Sequence, residues 1–175
     1  MHTNRVDTRW QDTGGGGAVT RNLRLAYFNM GTAREFPSHA HPSTATLLEL
    51  AQRADILCLQ ETHLHAHQWP GFLQSFRLAT DGGSGLAAHA PDVAAQRSFT
   101  GVAFLFTRSI LAEGLVIRES TLRTDTAGRW ASVQIEWTGI TITLAGRGVG
   151  PELLPLPPWC GATTGRPQLG GAWGL

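Results

Sequence analysis

The fold is decided by the segment Asp55-Ile56-Leu57-Cys58-Leu59-Gln60-Glu61. Its four consecutive apolar residues, 56–59, are typical of a strand that is covered on both faces of a sheet. The polar pair Gln60-Glu61 then ends the strand and leaves a carboxyl group at its end. An earlier segment, residues 23–28, alternates at first and then becomes wholly apolar, which predicts a second buried strand that ends in Asn29.

Other elements can be predicted outward from these two strands. Ser43 is a good N-cap, so a helix is predicted over residues 44–53. The pair Thr138-Gly139 predicts a tight turn that joins two strands into a hairpin. The stretch from Gly85 to residue 97 shows little periodicity, and no element is predicted there. The further strands are predicted over residues 72–79, 101–106, 115–121, 129–137 and 140–144.

The 175 residues suit one domain flanked by irregular ends. Residues 1–22 are predicted to be a disordered leader, because Gly14–Gly17 lose too much chain entropy to order themselves. Residues 23–145 carry the patterned sequence and form the predicted domain. Residues 146–175 are a Gly/Pro-rich tail without helical or strand periodicity, in which the prolines at 155, 157 and 158 disfavour a central strand or helix.

Composition excludes two classes of protein. Hydrophobic residues make up 42% of the chain and the mean hydropathy is −0.09, which argues against both a disordered chain and an integral membrane protein. The sequence shows neither an N-terminal hydrophobic signal segment nor an apolar run of the ~18–20 residues that a membrane span needs. The two cysteines, Cys58 and Cys160, are too few for a disulfide framework or a four-cysteine zinc site. A reducing, intracellular setting is therefore expected, without a membrane partner.

The charge balance is close to neutral, with 14 basic and 13 acidic residues. This balance gives no overall electrostatic attraction to nucleic acid. All 14 basic residues are arginines, so a phosphate loop of the Walker type, which requires a lysine, is excluded. Any phosphate contact must then come from arginine, whose planar fork suits bidentate binding. Codon bias in a GC-rich genome would produce the same lysine deficit.

Four parts of the sequence resemble the first half of the endonuclease/exonuclease/phosphatase superfamily. They are the strand-end motifs at residues 25–29 and 55–63, the strand at 101–105 and the hairpin at 129–144. That superfamily includes apurinic endonucleases, DNase I-like nucleases and the endonuclease domains of LINE-type retrotransposons. The arginine-only composition and Gly128-Arg129-Trp130 look most like the retrotransposon branch. The resemblance covers residues 23–144 and implies an α/β fold, a truncated four-layer α-β-β-α sandwich of the DNase I-like kind.

The resemblance also implies a site and an activity. Family members hydrolyse phosphodiesters with a divalent ion, usually Mg²⁺, which prefers hard oxygen ligands; Mn²⁺ is an alternative. Glu61 would be the metal ligand and catalytic carboxylate, and Asn29 would lie beside it and orient the metal and the scissile phosphate. The implied substrate and partner is DNA, and the oligomeric state is left open.

The sequence departs from the family pattern in its second half. The strings Gly-Asp-x-Asn and Ser-Asp-His are absent, and residues 145–151 read Ala-Gly-Arg-Gly-Val-Gly-Pro where an Asn-x-Tyr-x-Pro segment is expected. The expectation is therefore a DNA endonuclease relative with at most residual activity. Two alternatives stay open: a catalytically dead or binding-only remnant, and a phosphatase or sphingomyelinase-type member.

Several histidines have two interpretations. His63, His65 and His67 alternate, so an extended chain would present all three on one face as a zinc cluster, whereas a polar loop is the simpler interpretation. The same choice applies to His39 and His41.

Other residues are expected to be structural. The Gly82–Gly85 cluster predicts a turn, with anion binding as the alternative. Trp130 and Trp137 are interpreted as core or sheet-face residues, with base stacking as the alternative. Cys58 is expected to be an inert buried thiol, and Asp55 to end the helix–strand loop without a chemical role.

Overall fold

The computed structural model describes residues 22–31, 33, 36, 42–89, 101–147 and 162–164. Most of the predicted leader and most of the predicted 146–175 tail lie outside these residues. The helices are α1 Pro42–Arg53, α2 Trp69–Ala79 and α3 Arg108–Ala112. The strands are β1 Leu25–Asn29, β2 Ile56–Gln60, β3 Ser84–Ala88, β4 Val102–Phe106, β5 Val116–Thr124, β6 Trp130–Trp137, β7 Ile140–Arg147 and β8 Ala162–Thr164.

The strands form two four-stranded sheets. In the first sheet the order is β1-β2-β4-β3, with β1 and β2 parallel and the other neighbours antiparallel. In the second sheet the order is β5-β6-β7-β8, and every neighbouring pair is antiparallel. The α/β class predicted from the sequence is confirmed.

Both faces of the first sheet are covered by apolar side chains. Its inner face packs on the second sheet, where Ile56 and Cys58 share one core with residues such as Val133 of β6. Its outer face packs on α1 and α2, where Leu57 and Leu59 share a second core with buried helix residues. This double coverage explains the unbroken apolar run at 56–59. The described residues thus form helix, sheet and sheet layers, and the four-layer sandwich stays a prediction.

The predicted strand over residues 72–79 is wrong, because this segment lies in α2. Phe72 and Phe76, four residues apart, are both buried on the side of the helix that faces the first sheet. Pro70 lies in the first turn, where its missing N–H group costs nothing. The prediction treated the segment as a strand although its apolar residues repeat at helical spacing.

Two further elements were not predicted. Strand β3 consists of Ser84-Gly85-Leu86-Ala87-Ala88, whose small side chains give no alternating pattern. A Cβ atom on Gly85 would lie 3.2 Å from Trp69 Cζ2 and 2.8 Å from Leu105 Cδ2, so only a glycine fits beneath α2 here. The short helix α3 follows Thr107 at the end of β4.

The predicted start of α1 was close to the observed one, but the role given to Ser43 was wrong. The helix begins at Pro42, so Ser43 lies within its first turn. The Ser43 hydroxyl donates a hydrogen bond to the carbonyl oxygen of Met30 at 2.9 Å. The side chain therefore connects α1 to the segment that follows β1.

The predicted hairpin is confirmed and is longer than expected. Trp137 pairs with Ile140, and Thr138 and Gly139 both have positive φ values, 50° and 76°, as in a type I′ turn. Strand β7 continues to Arg147 because buried Gly146 extends the inward alternation of Ile142 and Leu144. Beyond it, β8 adds a three-residue edge strand within the segment that was predicted to lack regular structure.

Asp55 does more than end a loop. Its side chain is fully buried and accepts hydrogen bonds from the backbone N–H of Arg24 at 2.8 Å and from the Arg24 guanidinium at 3.0 and 3.2 Å. These hydrogen bonds, followed by the Coulombic attraction of the carboxylate, raise the pKa of Arg24. The Asp55 carbonyl oxygen also accepts from the backbone N–H and hydroxyl of Thr107. Asp55 thereby joins the starts of β1 and β2 to the end of β4.

Among the described residues, no helix is both long enough and apolar enough to cross a membrane.

Candidate functional site

The carboxyl ends of β1 and β2 form the candidate site. Because the two strands are parallel, their last residues lie at the same edge of the first sheet, and Asn29 pairs in register with Gln60. The backbone N–H of Met30 donates to the Gln60 carbonyl oxygen at 2.9 Å. Glu61 is the next residue. The structure therefore brings Asn29 and Glu61, the two predicted site residues, to one edge of the sheet.

Asn29 is exposed, and its side chain is held by a local turn. Its Oδ1 atom accepts a hydrogen bond from the backbone N–H of Gly31 at 2.9 Å. Gly31 has a φ of 64°, which a glycine adopts at little cost. The turn orients the amide group while leaving its NH₂ without a bond to any described residue.

Glu61 occupies an unusual environment for a carboxylate. Its backbone lies in the left-handed region, with a φ of 52°, and the residue is only 9% exposed. Within the described segments, no group donates a hydrogen bond to its carboxylate or forms an ion pair with it. A carboxylate on a largely buried residue without such partners gains from a cation at its side.

The backbone around Glu61 is fixed from both sides. Ala33 N–H donates to the Thr62 carbonyl oxygen at 2.8 Å, and Thr62 N–H donates to the Gly101 carbonyl oxygen at 3.1 Å. Gly101 N–H in turn donates to the Gly128 carbonyl oxygen at 2.8 Å, on the turn that precedes β6. The loop that carries Glu61 is therefore tied to the β1 side, to β4 and to the second sheet.

The second sheet packs closely beneath this edge. A Cβ atom on Gly146 would lie 2.7 Å from Val102 Cγ1 and 2.8 Å from Cys58 Sγ. Val102 is the register partner of Gln60, so this close contact with β7 lies level with the site. Sequence analysis missed Gly101 and Gly146 as site-supporting residues, since a glycine gives no hydropathy signal.

The three histidines lie in a loop, the simpler of the two interpretations, and do not form one face. The chain turns after His65, whose carbonyl oxygen accepts from the backbone N–H of Gln68 at 2.9 Å, so it is not extended there. The rings of His65 and His67 are stacked nearly parallel, with centroids 5.6 Å apart. Across the described ranges, no group of three or more His, Cys, Asp or Glu side chains could hold a metal ion. His39 and His41 lie outside the described residues.

The turn predicted over Gly82–Gly85 is confirmed only in its first part, because Ser84 and Gly85 lie in β3. Asp81, Gly82 and Gly83 all have positive φ values and lead from α2 into β3. Arg108 covers Gly82 and forms an ion pair with Asp81 at 2.6 Å. A Cβ atom on Gly83 would lie 2.7 Å from the Phe106 carbonyl oxygen, so its role is close packing.

The remaining structural expectations are largely met. Cys58 is a buried cysteine, and Trp137 is 9% exposed within the core between the sheets. Trp130 is 38% exposed at the start of β6 and therefore lies on the sheet surface.

The donor set at the sheet edge fits a hard divalent cation. Mg²⁺ commonly takes one or two protein carboxylates, retains several waters and completes its coordination with substrate phosphates. A single carboxylate, that of Glu61, with the Asn29 amide at the same edge, offers oxygen donors of this kind. Because the described residues contain no group of three or more His, Cys, Asp or Glu side chains suited to a metal ion, the other ligands would have to be water and substrate.

The profile of the Endonuclease/Exonuclease/phosphatase family matches residues 26–173. This range covers most of the chain and includes both Asn29 and Glu61. Two packed sheets with polar strand ends at one edge agree with that match, and the chain belongs to the endonuclease/exonuclease/phosphatase family. The matched range also continues past Leu144, where the sequence resemblance was expected to end. A search of curated proteins gives no significant match.

Proposed function

We propose that this chain is a Mg²⁺-dependent phosphodiesterase domain of the DNA endonuclease type, with slow turnover. The observation that carries the proposal is Glu61, a largely buried acidic residue at the same sheet edge as Asn29. Family membership supports hydrolase or nuclease chemistry, and the donor set supports a hard divalent ion.

In the proposed mechanism Glu61 and Asn29 have different tasks. Glu61 holds the divalent ion, and Asn29, whose Oδ1 is fixed by Gly31, presents its NH₂ group to a phosphate oxygen. A bound divalent ion would act as a Lewis acid toward the phosphoryl group. Because the backbone clamp at Thr62 holds these groups in advance, little reorganisation is needed when substrate binds.

Slow turnover is proposed because the sequence lacks the strings Gly-Asp-x-Asn and Ser-Asp-His. The family's acid, base and leaving-group residues come from those strings. A loss of general acid–base catalysis alone lowers the rate by a factor of roughly 10²–10⁴. We therefore expect nicking to be detectable only at high enzyme concentration.

The test is nicking of supercoiled plasmid by the purified full chain in Mg²⁺ or Mn²⁺. We expect Glu61→Gln to abolish nicking, while the matched variant Glu49→Gln, whose side chain is 52% exposed on α1, retains it. Cleavage of bis(p-nitrophenyl) phosphate without plasmid nicking would redirect the proposal to small phosphoesters. No cleavage of either substrate would show a catalytically dead remnant.

Metal binding is tested separately by thermal unfolding. Mg²⁺ should raise the Tm of the wild-type protein and leave that of Glu61→Gln unchanged, because a ligand stabilises only a state that binds it. Without metal, Glu61→Gln should unfold at a higher temperature than the wild type, since it removes a buried unpaired charge. An equal Mg²⁺ response in both proteins would contradict the assignment of Glu61 as a metal ligand.

A further inference from the structure

The outer face of the second sheet carries an exposed aromatic side chain near the site. On β6 the side chains alternate, and Ala131, Val133 and Ile135 are buried toward the first sheet. Trp130 therefore lies on the opposite, outer face and is 38% exposed. Three large hydrophobic residues are exposed among the described residues, namely Leu78, Val116 and Trp130, and of these only Trp130 is aromatic.

Two arginines lie on the same outer face. Arg147 of β7 pairs in register with Trp130, and Arg123 of β5 pairs with Ser132, two residues further along β6. Cross-strand partners share a face, so both arginine side chains lie on the same face as the indole ring. We call Arg123, Trp130 and Arg147 the Trp130 patch.

The Trp130 patch has free positive charge. Within the described ranges neither Arg123 nor Arg147 forms an ion pair or a side-chain hydrogen bond. The nearby carboxylate of Asp125 is engaged by the backbone N–H groups of Arg129 and Trp130 and by the Arg129 guanidinium. At the far end of the same face, by contrast, Arg118 is paired with Glu136.

The Trp130 patch also lies close to the candidate site. Gly128, two residues before Trp130, accepts the hydrogen bond from Gly101 N–H, and Gly101 accepts the one from Thr62 N–H. These two backbone hydrogen bonds connect the loop that carries Glu61 to the turn that precedes Trp130. A polymer bound at the sheet edge could continue onto this face.

We infer that the Trp130 patch binds a single strand of nucleic acid, with a base stacked on the indole and the flanking arginines on its phosphates. Single-strand sites combine aromatic platforms with cationic side chains in this way, and stacking accepts any base because every base has a planar face. Arginine is suited to phosphate because of its planar fork. The inference deepens the proposed function, on which it rests for its biological meaning, by adding a strand-holding surface beside the cleavage edge.

The experiment measures fluorescence anisotropy of a fluorescein-labelled 15-mer of dT in EDTA, so that binding is separated from cleavage. Trp130→Ala should weaken binding about tenfold, the loss expected for one stacked base, while Trp130→Phe, which keeps a planar ring, should stay within about threefold of wild type. Arg147→Ala should lower the slope of log K against log salt by about 0.7. The matched variant Arg118→Ala, from the far end of the same face, should leave the slope unchanged.

Three results would overturn the inference: no oligonucleotide binding by the wild type, full binding by Trp130→Ala, or equal losses in Arg147→Ala and Arg118→Ala. Because Trp130 is a surface residue, Trp130→Ala should keep the wild-type Tm; if it does not, Trp130→Phe and Arg147→Ala decide the question. Oligonucleotide binding without nicking would refute the proposed function and leave this inference standing. Nicking by Trp130→Ala with unchanged oligonucleotide binding would refute this inference and leave the proposed function standing.

Discussion

Gly101 and Thr62 approach so closely across the site edge that a Cβ atom on Gly101 would lie 2.2 Å from Thr62 Oγ1. Gly101 also has a φ of 95°, which side-chain-bearing residues rarely adopt. Thr62 follows Glu61 directly, so this contact sets where the candidate carboxylate can lie. The geometry of the site therefore depends on a residue that has no side chain.

Gly101→Ala should damage the site and the fold together. The new methyl group must displace Thr62, and the positive φ adds about 1–3 kcal/mol of backbone strain. We expect a loss of at least 1 kcal/mol in unfolding free energy, measured with urea, and loss of the Mg²⁺-induced rise in Tm. The control is Gly71→Ala, since a Cβ there meets nothing within 4 Å and alanine favours the helix. Equal stability of the two variants would contradict this role for Gly101.

Gly146→Ala should separate the two sheets beneath the site. The added Cβ meets Val102 Cγ1 at 2.7 Å, and overpacking of a core typically costs about 1–3 kcal/mol. The cost should shrink in a Val102→Ala background, where the opposing methyl groups are gone, and stay unchanged in a background of Val116→Ala, an exposed residue. Urea unfolding of the wild type, Gly146→Ala, Val102→Ala and the double variant measures this coupling. Additive effects of the two substitutions would contradict it.

Arg24→Met should destabilise the fold by about 2 kcal/mol, because it leaves the fully buried Asp55 carboxylate without its cation. Arg24 is half exposed, so we expect less than the full cost of breaking a buried ion pair. Arg108→Met, which breaks the exposed pair with Asp81, should cost less than about 1 kcal/mol. Denaturant unfolding of both variants checks the difference, and similar losses would show that burial of Asp55 is unimportant.

The same ion pair fixes a pH dependence. The pKa of Arg24 is raised in the folded state by its hydrogen bonds to Asp55, so the folded state binds the proton more tightly than the unfolded state. Its stabilisation is fully present below the pKa of an unfolded arginine and is lost as the pH rises through the raised folded value. The stabilisation due to this pair should therefore be constant from pH 6 to pH 9. The measurement is the difference in unfolding free energy between the wild type and Arg24→Met, and a fall in that difference over this range would contradict the prediction.

Thr138→Asn should stabilise the β6–β7 hairpin by about 0.5–1 kcal/mol. Thr138 has a φ of 50°, and a β-branched residue is poorly suited to that conformation, whereas Asn-Gly is a favoured type I′ pair. Gly139→Ala, at a φ of 76°, should act in the opposite direction. Urea midpoints of the two variants provide the check, and destabilisation by Thr138→Asn would mean that the Thr138 hydroxyl bond to the Trp137 carbonyl oxygen matters more.

Strands with a strong hydropathy signal were predictable from the sequence. The run at 56–59 and the hairpin around Thr138-Gly139 both gave local patterns that the structure reproduces. The strand prediction for residues 72–79 failed because two phenylalanines four residues apart fit both the helical and the strand period when the segment is short. Strand β3 was not predicted because its small residues give no hydrophobic period. It forms through its pairing with β4.

Contacts between distant residues could not be predicted from local patterns. The contact between Gly101 and Thr62, and that of Gly146 with Cys58, are visible only after the sheets have formed. Asp55 meets Arg24 because β1 and β2 are parallel neighbours. The same pairing brings Asn29 and Glu61 together, which the family resemblance anticipated, and their chemical roles remain a proposal.

Half-exposed Arg24 and buried Asp55 pair at the amino ends of β1 and β2, whereas Asn29 and Glu61 lie at the carboxyl ends. Contacts that stabilise the scaffold thus lie at one end of these strands, and the two proposed site residues lie at the other end. Substitutions of the Asn29 and Glu61 side chains therefore leave the contacts between Arg24 and Asp55 in place. Such a division of labour lets a lineage change or abandon its chemistry while keeping the architecture intact.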